Sequence, residues 1–169
     1  MQETNFMIIK LLDKKDIYNV DNAFSKIKSD LSNKVYSEYI DIILTDNGIE
    51  FYDPIHLEIN LENGEKLCSV YYCHPYSPHE KAELEKNHEY IRMILPKGTS
   101  FGNLTEGDIK RLEDTINNIP REILGNKTPY QLVKEKYPIL VDKFKSKYIK
   151  PDDVSLNPED IIKSTKKQK

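Results

Sequence analysis

Two carboxylates stand where chemistry could be done. An apolar run, Ile42-Ile43-Leu44, stops at Thr45-Asp46-Asn47-Gly48, and apolar residues resume at Ile49 and Phe51. A strand that ends this way either makes a tight turn or holds a carboxylate at the carboxyl edge of a sheet, where α/β proteins usually keep their chemistry. Glu85 follows after 38 intervening residues. The pattern predicts a helix over about 79–94, on which Lys81, Glu85, His88 and Arg92 recur at spacings of 4, 3 and 4 and so line one face. A strand-end aspartate facing a helix glutamate among basic residues suits two-metal phosphoryl transfer. In such sites carboxylates hold two Mg²⁺ about 4 Å apart, one activating the attacking oxygen and one stabilising the leaving oxygen. The plain alternative is a turn aspartate and a solvated helix face, the usual fate of charged residues.

The elements that must position these residues read as a mixed α/β chain. "NFMIIKLL", residues 5–12, is apolar and bounded by "DKKD", the pattern of a buried strand. Ile17, Val20, Phe24, Ile27 and Leu31 form one stripe of an amphipathic helix over about 16–32, with Asp16 as N-cap. Residues 39–45 read as a second buried strand, the one that delivers Asp46. Leu57, Ile59 and Leu61 alternate with polar residues, Asn63-Gly64 supplies a tight turn, and "KLCSVYYC" returns, which predicts a hairpin. The helix over 79–94 carries Leu84, His88, Ile91 and Leu95 along one side. "PKGTSFGN" is a loop. Thr105 and Asp108 form a capping box for a helix bearing Ile109, Leu112, Ile116 and Ile119. Thr128-Pro129 opens a short helix. From about 150 the chain is polar and reads as a frayed tail. Domain boundaries follow: a core over 1–136 and a polar, partly disordered extension over 137–169.

The 169 residues are the size of one ordinary domain, and a net charge of −3 hides an asymmetry. Residues 1–85 carry 8 Lys and 16 Asp plus Glu, and residues 86–169 carry 17 Lys plus Arg and 12 Asp plus Glu. A basic half beside an acidic half fits a polyanion-binding surface next to a carboxylate cluster, or simply a solvated surface with a Lys-rich end. No apolar run approaches the roughly 20 residues of a membrane span. The N-terminus lacks a basic leader, so a cytoplasmic protein is expected. Cys68 and Cys73, with nearby histidines, invite a zinc reading. An offset of five along a strand puts the two thiols on opposite faces, where they cannot share an ion. Tyr71, Tyr72 and Tyr76 either stack on bases or pack within the hairpin. The "KSTKKQK" end either touches phosphate or only solubilises.

Longer stretches carry more than spacing. "LTDNGIEF", "YYCHPYSPHEKAELEKNHEYIRMILPKGTSF" and "LTEGDIKRLEDTINNIPREILGNKTPYQLV" together resemble the insertion-sequence-thirty family of transposases, over about residues 5–135. The ordered set "TDNG", "PYSP", "EKNHEYIR", "LPKGT", "INNIPR" and "TPYQL" is specific as a combination.

The resemblance implies a ribonuclease-H-like integrase catalytic core with C-terminal helices and an Asp-Asp-Glu triad. It places Asp46 at the second catalytic aspartate and Glu85 at the catalytic glutamate, both as ligands of Mg²⁺, with Mn²⁺ as substitute. Asn47 and Gly48 match the turn after the aspartate. Asn87, His88 and Arg92 match helix positions near the active site and DNA, and Lys97 and Gly98 match the loop that follows; with Lys81 from the helix face above, Asn87, His88, Arg92 and Lys97 are the expected DNA contacts. The implied activity is metal-dependent strand cleavage at transposon ends and attack of the 3′-hydroxyl on target DNA.

In the family the first aspartate lies on a first strand upstream of the segment that matches "NFMIIKLL", where this chain begins. The expectation is therefore a core lacking its first strands and keeping two of three catalytic carboxylates. The second reading is a non-catalytic module that binds DNA or pairs with a full-length transposase or with itself.

Overall fold

The computed structural model describes residues 2–74 and 82–164, which fall into two compact units, Leu12–Glu80 and Met1–Leu11 with Lys81–Lys169. The boundary expected at residue 136 lies inside the second of these, between two of its helices.

The Leu12–Glu80 unit begins with α1 (Ile17–Leu31), whose Asp16 side chain accepts the Asn19 amide as the expected N-cap. Val20, Ile27 and Leu31 bury their stripe. Ser32, at φ 68, turns the chain directly into α2 (Asn33–Tyr39), which buries Tyr36. That helix consumes the start of the strand expected over 39–45, so β1 is only Ile42–Thr45. It is not a buried strand: Ile42 and Leu44 stay exposed and only Thr45 is buried.

The expected hairpin is also redrawn. Asp53 accepts the Ile55 amide at 3.2 Å, and Pro54 sits in the helical region, so the chain coils into α3 (Ile55–Glu58) and buries Leu57. Of the hairpin, one antiparallel bridge remains, Ile59 to Lys66, around a turn in which Gly64 adopts φ 72. The returning arm, β2 (Ser69–Tyr72), leaves that turn and pairs in parallel with β1, Leu44 opposite Tyr71. Among the described residues the sheet holds these two strands. Parallel pairing puts both carboxyl ends together. The Cys73 amide donates to the Thr45 carbonyl at 2.8 Å just before Asp46.

The other unit is built on α4 (Ala82–Ile94) and α5 (Glu106–Asn117). α5 starts with the expected Thr105–Asp108 capping box. Residues 5–12 are not a strand. Phe6 and Met7 are buried, and the backbone is paired by side chains of α5 in place of a neighbouring strand. Asn117 accepts the Met7 amide and donates to the Met7 carbonyl, both at 2.8 Å, and Glu113 Oε2 accepts the Ile9 amide at 2.8 Å. Met7, Ile94, Leu95, Leu112, Ile116, Ile161 and Ile162 form the core around it.

α6 (Pro129–Lys136) opens with Thr128 as N-cap and Pro129 at its first position, as expected, and α7 (Pro138–Lys143) follows at once. The stretch after 150 is not frayed through residue 164. It carries a 3-10 turn, Pro151–Asp153, and α8 (Pro158–Ile161), and it buries Ile161 and Ile162.

Candidate active site

Asp46 is exposed and sits one residue past β1, where its Oδ1 accepts the Gly48 amide at 3.3 Å. This is an Asx turn at the carboxyl end of a parallel pair, so both sequence readings of the strand end describe it. Asn47 is exposed. Gly48 has φ −64, which any residue adopts, so its backbone does not require glycine. A Cβ there would lie 2.6 Å from Glu50 Oε2, so a larger residue would push that side chain aside.

Glu50 is a residue that the sequence reading missed. It is buried, and Lys15 pairs with its Oε1 at 3.0 Å. Its Oε2 has no hydrogen-bond partner among the described residues. The hydrogen bond to Glu50 holds the Lys15 ammonium above its usual range, and the charge of Asp46 adds to the effect. Nothing local announces it, since the neighbouring Ile49 is 74% exposed. Two carboxylates thus flank Gly48, and one presents an orphaned buried oxygen. Hard oxygen donors of this kind suit Mg²⁺ or Mn²⁺, and burying a carboxylate oxygen without a donor is costly unless a cation takes it.

Glu85, His88 and Arg92 share an exposed face of α4. His88 belongs to that face and not to the core side on which the apolar pattern also placed it. The core side carries Asn87, Ile94 and Leu95. Asn87 is buried, and its Oδ1 accepts from Arg121 Nη1. The Arg121 guanidinium also lies 4.5 Å from the centroid of the Tyr90 ring. Asn87 therefore fixes Arg121 against α4, and its side chain is turned inward. Lys97 is exposed in a turn closed by the Thr99 amide on the Pro96 carbonyl at 3.1 Å, with Gly98 at φ 87 as a type II turn requires. Lys81 and Tyr76 lie outside the described residues.

Asp46, Asn47 and Gly48 belong to one compact unit, and Glu85, His88, Arg92 and Lys97 to the other. Among the described residues no group of three or more His, Cys, Asp or Glu is placed to hold a metal ion. Cys68 is buried with its Sγ donating to the Leu57 carbonyl, and Cys73 is half-buried. Tyr71 and Tyr72 are exposed on β2, so packing does not consume them.

The transposase for insertion sequence element IS4351 of Bacteroides fragilis is 35% identical over 96 residues, 57% of this chain and 28% of that protein. Transposase InsI for insertion sequence element IS30A of Escherichia coli (strain K12) is 29% identical over 133 residues, 79% of this chain and 32% of the relative. A probable transposase for insertion-like sequence element IS1161 of Streptococcus salivarius is 28% identical over 135 residues, 77% and 36% of the two chains. The chain is a relative of the insertion-sequence-thirty transposases.

It spans about a third of the length of the transposases it matches. No family model matches the sequence, and no solved structure matches the fold. The resemblance to insertion-sequence-thirty transposases is thus borne out as a likeness over 57–79% of the chain, and the mixed helix-and-sheet class with it. No described helix is long and apolar enough to cross a membrane.

Proposed function

We propose that this chain carries the acidic residues of a transposase acting on DNA, within a ribonuclease-H-like integrase core. Asp46 and Glu85 are its metal-binding carboxylates. The observation that supports this most directly is Asp46 itself, exposed at the carboxyl end of β1 in an Asx turn, inside the stretch whose sequence resembles the transposase motif. The residues that would hold Mg²⁺ or Mn²⁺ are Asp46 and Glu85, with Glu50 and its orphaned oxygen beside Gly48. When bound, the ions would activate the attacking oxygen and stabilise the leaving one. The chain's own residues do the rest. The Asx turn fixes the carboxylate of Asp46, Lys15 neutralises Glu50 in part, and His88, Arg92 and Lys97 present positive or donor groups to phosphates. Asn87 acts indirectly, by holding Arg121.

A calorimetric titration of Mn²⁺ into the whole chain tests this, run beside Asp46→Asn and Glu85→Gln. The expected result is binding that either substitution abolishes, followed by strand transfer on DNA ends in Mn²⁺. A folded chain that binds no Mn²⁺ overturns the catalytic reading. The second reading is a module that binds DNA or pairs with a transposase without catalysing. It predicts DNA binding in EDTA with no strand transfer in any metal.

A further inference from the structure

The basic residues of this chain are not spread evenly. Residues 134–150 hold six lysines against Glu135 and Asp142, in a chain that is negative overall. Lys136 is committed to Glu3. Lys143, Lys145, Lys147 and Lys150 are exposed and make no ion pair among the described residues. A lysine run alone is commonly a solvated face. Here it brackets an aromatic ring that the fold holds open to solvent.

Tyr148 is 51% exposed although its backbone is clamped on both sides. The buried Asn118 donates from Nδ2 to the Lys147 carbonyl at 2.8 Å and accepts the Ile149 amide on Oδ1 at 3.1 Å. The buried Asp114 accepts the Lys147 amide at 3.1 Å. Three hydrogen bonds to the buried side chains of Asp114 and Asn118 thus hold residues 147–149 against the end of α5, much as a strand neighbour would. The ring of Tyr148 meets Tyr130 with centroids 5.8 Å apart and planes tilted by 40°. The two rings touch, so nothing flat fits between them, and the outer face of Tyr148 remains. Beside it lies an open groove of about 400 Å³ lined by Tyr130, Gln131, Lys134, Glu135 and Tyr148. Lys134 Nζ sits 5.9 Å from the centroid of Tyr130. Glu135 is bonded to Lys127 at 2.8 Å, so its charge does not repel an anion unopposed.

A half-exposed ring on a clamped backbone costs little entropy to stack upon, and Lys134 in the groove, with the unpaired lysines that flank Tyr148 in sequence, supplies charge for a sugar-phosphate chain. Gln131 and Glu135 offer the groove an amide and a carboxylate oxygen for base edges. A duplex keeps its base faces stacked inside and offers Tyr148 none, whereas a single strand presents them. We infer that Tyr148 and the lysines around it form a binding platform for single-stranded DNA, a base stacking on the outer face of Tyr148. The inference rests on the reading of this chain as acting on DNA, since strand cleavage supplies unpaired ends.

The test is fluorescence anisotropy of a labelled 12-nucleotide mixed-sequence DNA strand with the whole chain in EDTA, competed by the same sequence as duplex DNA or as single-stranded RNA. Working without metal separates the outcome from that of the Mn²⁺ titration. The platform fails if Tyr148→Ala binds like wild type while Mn²⁺ still binds Asp46 and Glu85. Expected results are a loss of about 10-fold for Tyr148→Ala and near wild-type binding for Tyr148→Phe. Tyr148→Leu, which keeps an apolar contact with Tyr130 without a π-face, should lose as much as alanine. Lys145→Gln with Lys147→Gln should flatten the dependence of log affinity on log salt by about 1.4. Wild-type affinity in Tyr148→Leu, or duplex competing better than single strand, overturns the proposal. Equal competition by RNA assigns the platform to single strands of either sugar.

Discussion

Asp108 is the most heavily bonded carboxylate described. Its oxygens accept the Thr105 amide and hydroxyl at 2.9 and 2.6 Å, the Lys163 amide at 2.7 Å, and a guanidinium bond from Arg111. Burial pushes the carboxyl up, but the bonds from Thr105 and Lys163 outweigh it and hold it well below the usual carboxylate range. Its folded pKa therefore lies below the unfolded value of about 3.9, so its stabilisation is complete above that value and is lost as pH falls toward the folded one. Asp108→Asn should lower stability by about 2–3 kcal/mol at pH 7, since a neutral amide cannot serve four donors. Thermal melts should show the gap between wild type and Asp108→Asn narrowing as pH drops from about 5 to 3. A gap constant with pH would mean that the charge contributes nothing. Half of this arrangement was legible, because the Thr-x-x-Asp spacing announces a capping box. The other half was not: nothing local tells that Lys163, 55 residues away, lends its amide.

α5 is an organising element of a kind that periodicity does not disclose. Its apolar stripe, Ile109, Leu112 and Ile116, was read from the sequence and is buried. Its polar residues Asp108, Glu113, Asp114 and Asn117, and the C-cap Asn118, are buried as well. Each reaches backbone of a segment far along the chain: residues 7–9, 147–149 or 163. This explains the miscalled first strand. "NFMIIKLL" has a strand's composition, but its Met7 and Ile9 amides are answered by side chains, and no sequence pattern distinguishes the two partners. The same limit produced the hairpin error, where Asp53-Pro54 started a helical turn inside an alternating run. For the site, the strand-end aspartate and the glutamate face were legible, because a turn and a helix face are local. Glu50 was not, because burial is a tertiary fact. Asn117→Ala strips the partners from both polar groups of Met7 and should cost about 3 kcal/mol in denaturant unfolding. A cost near zero would mean that residues 5–11 are not held by α5.

On the scale of the whole molecule, the two units differ in how they are finished. The Met1–Leu11 and Lys81–Lys169 unit closes its core with helices and buried polar bonds. Among the described residues, the Leu12–Glu80 unit carries a two-stranded sheet on which Ile42, Leu44 and Tyr71 are exposed. Two strands are marginal without further cover, and free edges expose unpaired amides. Hydrogen exchange should therefore be at least about 10-fold faster in β1 and β2 than in the middle of α5. Equal protection would mean that the sheet is covered in solution. The pairing of Met7 with Asn117 spans 110 positions and has a consequence in time. A ribosome adding about 5–20 residues per second makes Met7 roughly 5–20 s before the asparagine that receives it. Residues 12–80 are contiguous and need not wait. The oily heptad "FMIIKLL" does wait, and it stays bare on every nascent chain whose synthesis stops short of Asn117, a mark by which unfinished copies differ from finished ones.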